Sequence, residues 1–109
     1  MEVSSPFGSQ TRTRVLLALR LLEESYPREL ARLLDAPLSV VQKGIRSLET
    51  DALLTGRAVG RTRAFRLNPT YFARRELQSF LLRLLEPETC LKRRVATLRR
   101  RPRRTGKRL

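Results

Sequence analysis

Four polar side chains between residues 38 and 51 have the types and the spacing needed to bind nucleic acid. They are Ser39, Gln42, Lys43 and Arg46, and their three- and four-residue intervals correspond to one face of an α-helix. Glutamine and arginine can form paired hydrogen bonds with base edges, whereas lysine and arginine can equally hold phosphates. Periodicity alone is equally consistent with an ordinary solvated surface.

Four arginines follow in a segment that is predicted to form a β-hairpin. Residues 55–59 and 62–67 have the pattern of two short strands, with a Gly60-Arg61 turn between them. No acidic residue occurs between Asp51 and Glu76, so the hairpin brings no counter-charge of its own. Several cations are therefore left for solvent or for phosphate, namely Arg57, Arg61, Arg63 and Arg66.

Three predicted helices precede the hairpin and position the polar face. Helix one is capped by Ser9 and runs to about Glu24, with leucines on more than one side, which indicates burial on two sides. Helix two covers residues 27–34, and helix three covers about residues 38–51 with an apolar face formed by Val41, Ile45 and Leu48. Two short helices, a tight turn and a hairpin predict a winged helix-turn-helix, mainly α with a small β-hairpin.

A fourth helix is predicted over residues 73–85 and carries a broad apolar stripe. Helices one and four could simply close a monomeric core. Their excess of apolar surface instead favours a homodimer with two-fold symmetry, held through these two helices. The residues predicted for this interface on helix four are Leu77, Phe80, Leu81 and Leu84.

The charge of the chain is large and unevenly distributed. Its 109 residues suffice for one domain, and 24 Lys and Arg against 10 Asp and Glu give a formal charge of +14. Such an excess attracts polyanions. Ten of the basic residues lie in residues 91–109, which contain no acidic residue, and subtracting these ten from +14 leaves +4 for residues 1–90.

This distribution predicts three parts of the chain. Residues 1–8 are expected to be an irregular lead, and residues 9–86 the winged-helix domain. Residues 87–109 are expected to be a flexible basic tail, helical at most in part before Pro102, that adds non-specific affinity for polyanions.

Residue types that most enzymes and metal sites need are missing. The chain has no histidine and one cysteine, Cys90, so it lacks the commonest general base and any usual set of zinc ligands. No glycine-rich phosphate loop and no closely spaced aspartate pair is present. We therefore expect a protein that is not an enzyme and that uses no cofactor and no metal.

Cysteine content and hydropathy also bear on the compartment. A single cysteine cannot form an internal disulfide, and the sequence does not begin with the pattern of a secretory signal. No stretch reaches the roughly 20 apolar residues that span a bilayer. A cytoplasmic protein without a membrane partner is the expectation.

Three segments of the sequence resemble a known family. FGSQTRTRVLLAL, YPRELARLL and APLSVVQKGIRSLETDALLTGRAVGRTRAFRLNP are similar to the corresponding parts of ArsR-like winged helix-turn-helix regulators. The resemblance covers about residues 7–86 and is closest to the winged-helix domains that accompany minimal nucleotidyltransferases. Those domains share an FGSxTRxRLL opening, a YxRELA helix and an LxxxNP strand end.

The resemblance implies roles for particular residues. Helix three would be the recognition helix, and Arg61 and Arg63 of the wing would reach adjacent phosphates or the minor groove. The family commonly has glycine where Asp35 and Ala52 stand, so both bends are expected to differ in detail. Metal sensing in the wider family uses cysteine and histidine clusters that are absent here, and it is not carried over. The implied DNA-facing positions of helix three are Ser39, Val40, Gln42, Lys43 and Arg46.

Together these observations predict a protein that binds double-stranded DNA, and the resemblance implies that it is a sequence-specific transcriptional regulator. Helix three would enter the major groove, and the wing would lie on the backbone or in the minor groove. Two alternatives remain open from the sequence. One is a protein-interaction module that docks through helix four, and the other is RNA binding by the same scaffold.

Overall fold

Helix α1, Gln10–Leu22, begins where the sequence predicts because Ser9 caps it. The computed structural model, which describes residues 6–100, shows the Ser9 hydroxyl accepting a hydrogen bond from the Arg12 amide at 3.1 Å. The helix ends at Leu22, two residues earlier than predicted, because Glu23 leaves the helical region with φ of 76°. An N-cap hydroxyl of this kind satisfies one of the free amides of the first turn.

The other elements follow in the predicted order, within a residue or so of their predicted bounds. Three helices and two strands make up this part of the chain: α2 Pro27–Leu34, α3 Leu38–Thr50, β1 Leu54–Val59, β2 Thr62–Leu67 and α4 Arg74–Leu85. The strands form an antiparallel hairpin in which Gly56 faces Phe65. The Phe65 amide and carbonyl also bond to Ser25 at 2.8 and 3.0 Å, which ties the hairpin to the loop before α2. The prediction of a mainly α fold with a small β-hairpin is confirmed.

The backbone is left-handed at both bends that are expected to differ from the family. Asp35 has φ of 54° after α2, and Ala52 has φ of 66° after α3. Left-handed backbone costs an alanine roughly 1–2 kcal/mol, and aspartate tolerates it better. The Asn68 side chain donates a hydrogen bond to the Ala52 carbonyl at 2.9 Å and so supports the second bend.

The centre of the core is α1. Its residues Val15, Leu16, Leu17, Ala18 and Leu19 are all at most 1% exposed, and α1 contacts α2, α3, α4 and β2. The sequence predicts that α1 is buried on two sides, and in the structure other elements cover residues 15–19 on every side. Each fully buried leucine contributes about 1.5–3 kcal/mol relative to an exposed one.

A fifth helix corrects the predicted flexible tail. Helix α5, Thr89–Arg100, packs on α1 and α2, and its apolar residues Leu91 and Val95 are only 8% and 5% exposed. Leu98 continues this stripe and is partly buried. The spacing i, i+4, i+7 therefore gives a short basic helix an apolar face that the core covers.

Two arginines of α5 also bind free carbonyls at the ends of neighbouring helices. The Arg94 guanidinium donates to the Leu33 carbonyl at 2.8 Å, and the Arg99 guanidinium donates to the Leu21 carbonyl. Carbonyls in the last turn of a helix have no partner within the helix, and cations are favoured there. The folded part thus extends past the predicted boundary at residue 86, to residue 100. Residues 1–5 of the predicted lead and 101–109 of the predicted tail lie outside the described residues.

Candidate nucleic-acid interface

The apolar face of α3 packs closely on α1. Val41, Ile45 and Leu48 are at most 2% exposed, as the periodicity predicts. Gly44 lies between them, and a Cβ atom there would be 3.2 Å from the Thr11 methyl group. A glycine inside a helix costs about 1 kcal/mol relative to alanine, and here it permits the close approach of the two helices.

Arg12 of α1 fixes the orientation of α3 with a set of polar contacts. Its guanidinium donates to the Asp51 carboxylate at 2.7 Å and to the Ser47 hydroxyl, and its Nε donates to the Phe7 carbonyl at 2.6 Å. The Arg12 side chain is only 18% exposed, so these contacts are shielded from water more than a surface ion pair is. The FGSQTR opening of the sequence therefore joins the lead, α1 and the end of α3. The motif is visible in the sequence, but its contacts with Ser47 and Asp51 join residues 35 and 39 positions apart, which no local pattern reveals.

The predicted polar face of α3 points outward. All five predicted residues of the recognition helix are exposed, including Val40 at 42%. Within the described part of the chain, the side chains of Gln42, Lys43 and Arg46 make no hydrogen bond or ion pair. Their donors and acceptors are available for a ligand. The five residues brought together on this face are Ser39, Val40, Gln42, Lys43 and Arg46.

The hairpin is held against the body of the protein by Phe65. The Phe65 ring is 5% exposed and lies across Gly56 of the opposite strand. A Cβ atom at position 56 would be 2.7 Å from that ring, so only glycine fits this register. At the other end of the hairpin, Gly60 turns with φ of 61°, and Arg61 is exposed beside it. The wing thus has a rigid base and a cationic tip.

Two of the four hairpin arginines are paired with carboxylates, a difference from the predicted free cations. Arg57 binds both carboxylate oxygens of Glu24 at 2.8 and 2.9 Å. Arg63 binds Glu49 of α3 at 2.7 Å, and its guanidinium lies 4.9 Å from the centre of the Phe65 ring. Glu24 and Glu49 both lie outside the hairpin, at distant positions in the sequence. The lack of acidic residues within the hairpin therefore does not exclude partners for its arginines. Arg61 forms no ion pair among the described residues.

The ion pair of Arg57 changes the titration of Glu24. The hydrogen bond from Arg57 lowers the pKa of the Glu24 carboxyl below its ordinary value, partial desolvation opposes this, and the charges of Arg57 and Arg66 add to the lowering. The pKa of Arg57 is raised by the same hydrogen bond. Exposed ion pairs of this kind contribute little to stability.

Neither a metal centre nor a membrane span is found in the part of the chain that the structure describes. Residues 6–100 contain no cluster of three or more histidine, cysteine or acidic side chains that could hold a metal ion. None of the helices in this range has the length and the apolar character to cross a bilayer.

Comparison with known proteins identifies the fold. Reduced HlyU from Vibrio cholerae superposes with a TM-score of 0.59 and 24% sequence identity, over 75% of this chain and 79% of that chain. The adhesin competence repressor AdcR from Streptococcus pyogenes superposes with a TM-score of 0.60 and 19% identity, over 83% of this chain and 66% of that chain. No protein-family model and no curated protein matches the sequence. The chain has the same winged helix-turn-helix fold as these two proteins.

The pairing of Glu24 with Arg57 can be tested by titration. Replacing Arg57 by glutamine should raise the pKa of Glu24 toward the ordinary glutamate value of about 4.3, because the hydrogen bond that favours the carboxylate is lost. Since the folded-state pKa of Glu24 is lowered, the pair stabilises the wild type above the unfolded pKa. That contribution is lost as the pH falls through the folded pKa. Carbon-detected NMR titration of the carboxyl group measures the difference.

Arg61→Gln is the matched control, because it removes an exposed hairpin cation that has no acidic partner in the described residues. This variant should leave the pKa of Glu24 near its wild-type value. An unchanged Glu24 titration in Arg57→Gln would show that the pair is not formed in solution.

Proposed function

We propose that this protein is a sequence-specific transcriptional regulator that binds double-stranded DNA. The observation that carries the proposal is the face of α3. Gln42, Lys43 and Arg46 are exposed and unpaired there within the described residues, on a helix whose other face is locked to α1. A rigid helix with such a face suits insertion into the major groove. The likeness to the repressor AdcR in fold is consistent with this function.

The residues of α3 suit different parts of the groove. Ser39 and Val40 lie at the N-terminal end of α3, the end that recognition helices direct toward base edges. The exposed Val40 side chain can contact a thymine methyl group, and Gln42 can pair with adenine. Lys43 and Arg46 can donate to guanine or to flanking phosphates.

The wing supplies contacts to the backbone or to the minor groove. Arg61 at the tip is free among the described residues and is the most direct phosphate ligand of the hairpin. Arg57 and Arg63 would exchange Glu24 and Glu49 for phosphate when DNA binds. Because exposed ion pairs are weak, this exchange adds charge to the interface at a small cost.

The basic C-terminal part adds affinity without sequence preference in this proposal. Residues 91–109 carry ten cations and no acid, a composition that binds phosphate backbones through counterion release. Arg94 and Arg99 are already used in contacts with α2 and α1. The contribution of this part should therefore be smaller than its formal charge suggests.

Alanine at positions 43 and 46 tests base readout. Lys43→Ala and Arg46→Ala should each weaken binding to a preferred site by about tenfold, which corresponds to roughly 1.4 kcal/mol. Binding to unrelated duplex should fall by much less at the same salt concentration. Fluorescence anisotropy with both duplexes measures the two losses, with Arg83→Ala of α4 as a control for removing an exposed cation elsewhere.

If Lys43→Ala and Arg46→Ala reduce binding to both duplexes by the same factor, the two side chains hold only phosphates. Base readout by this part of α3 would then be wrong. A similar loss in Arg83→Ala would assign the effect to net charge alone.

We also propose that the regulator is a homodimer. Leu77 and Leu81, two of the predicted interface residues, are only 7% and 0% exposed within one chain, so they have little area left for a second copy to cover. Phe80 is 44% exposed and contacts Phe7 with a ring-centre distance of 5.8 Å. Phe80, Phe7 and the partly buried Leu84 are therefore the apolar surface that a second copy would cover.

Serine at position 80 tests the dimer. Phe80→Ser should raise the dimer dissociation constant by at least about tenfold, because a central aromatic side chain dominates an interface of this kind. Sedimentation equilibrium measures the constant. Leu82→Ser is the matched control, since Leu82 is 52% exposed on another side of α4. A monomeric wild type, or a Phe80→Ser protein that dimerises as the wild type does, would refute this interface.

A further inference from the structure

An open groove lies between helices α2 and α5, apart from the surface that is proposed to bind DNA. Its volume is about 460 Å³, within the range of roughly 300–1,000 Å³ in which small-molecule sites fall. Leu33 of α2 and Leu98 of α5 supply apolar surface, and Cys90 and Thr97 of α5 lie along the same wall. A groove of this volume with apolar lining suits a small ligand with an apolar body.

Cations from both helices surround this groove. Arg32 comes from α2, and Arg93 and Arg94 come from α5. Arg94 donates to the Leu33 carbonyl, whereas Arg32 and Arg93 form no ion pair within residues 6–100. Among the described residues that line the groove, one is acidic, Glu29, whose carboxylate accepts a hydrogen bond from Ser25. Like charges brought together by helix packing repel, and a bound anion offsets that repulsion.

We propose that this groove binds a small amphipathic organic anion, of the class of medium-chain carboxylates. The apolar body of the ligand would lie on Leu33 and Leu98, and its carboxylate would accept hydrogen bonds from Arg32 and Arg93. Guanidinium groups match carboxylates in geometry as well as in charge. A rim that carries several cations matches the anionic group of such a ligand, and an apolar floor matches its apolar body.

Occupation of the groove would also affect α3. Helix α2 packs on both α3 and α5, so a ligand between α2 and α5 contacts the helix that supports the recognition helix. A ligand that favours one arrangement of α2 would shift the affinity for DNA. This consequence rests on the proposed function, whereas the binding of the anion does not.

Cys90 provides a direct test of binding, because it is the single cysteine of the chain, is exposed and lines the groove. The probe is decanoate, kept below its micelle-forming concentration. At saturation it should slow alkylation of Cys90 by iodoacetamide by at least about fivefold, since such sites cover most of the surface they share with a ligand. Decanol has the apolar chain without the carboxylate, and inorganic phosphate is an anion without the chain. Both should protect Cys90 much less.

Two variants test the geometry of the site. Arg93→Gln should weaken decanoate binding by about tenfold through the loss of a charged hydrogen bond. The matched control Lys92→Gln removes a neighbouring cation that does not line the groove and should bind as the wild type does. Thr97→Phe should fill the groove and abolish protection of Cys90, whereas Ala96→Phe, on an exposed position away from the groove, should not.

Several outcomes would overturn the proposal. They are absence of protection by decanoate, equal protection by decanol or by phosphate, and wild-type binding in both Arg93→Gln and Thr97→Phe. Equal protection of Cys90 by duplex DNA would show a polyanion surface in place of a ligand site. Protection by decanoate in a protein that binds no DNA would support the groove and refute the proposed function, so the two failures are distinguishable.

Discussion

Helix α1 has no side open to water between Val15 and Leu19, and the other elements are placed by the need to cover it. Helices α2, α3, α4 and α5 and strand β2 all contact it. Burying each of its leucines contributes about 1.5–3 kcal/mol, and part of this free energy is lost if any of these elements departs. The direction of the α3 polar face is therefore a consequence of how α1 is packed. Gly44 and Arg12 then set the distance and the orientation of α3 against α1.

The electrostatics of the protein follow from the same packing. The formal charge of +14 overstates the charge that is available to a polyanion, because several arginines serve the fold. Arg12 joins α1 to α3, Arg94 and Arg99 bind the ends of α2 and α1, and Arg57 and Arg63 pair with carboxylates. The cations left free among the described residues include Lys43 and Arg46 on α3, Arg61 at the wing tip, and Arg32 and Arg93 beside the groove between α2 and α5. Position within the fold, more than net charge, decides which cations can bind a ligand.

Much of the fold could be predicted from the sequence because local signals agree with the tertiary structure. Ser9 caps α1, Val41, Ile45 and Leu48 form the buried face of α3, and Gly60 turns the hairpin. The outward face of α3 follows from the same periodicity. These features depend on residues that are near one another in the chain.

The features that could not be predicted depend on distant partners. The stripe of Leu91, Val95 and Leu98 lies in a basic segment whose composition is typical of a disordered tail, and only the surface of α1 and α2 makes it a packed helix. Pairing of Arg57 with Glu24 joins residues 33 positions apart, which no local pattern reveals. The requirement for glycine at position 56 also depends on a distant partner, because the Phe65 ring that excludes a side chain there comes from the opposite strand.

In the proposed function, α3 is held by α1 and reads base sequence in the major groove. Selection of bound duplexes from a random-sequence pool with the full chain, repeated at several salt concentrations, tests it most directly. If α3 reads bases, the selection yields an enriched motif that persists as salt is raised, with two half-sites about one helical turn apart. Binding that enriches no motif and falls with salt to the same extent for every duplex would show that α3 reads no bases, because only phosphate contacts behave in that way.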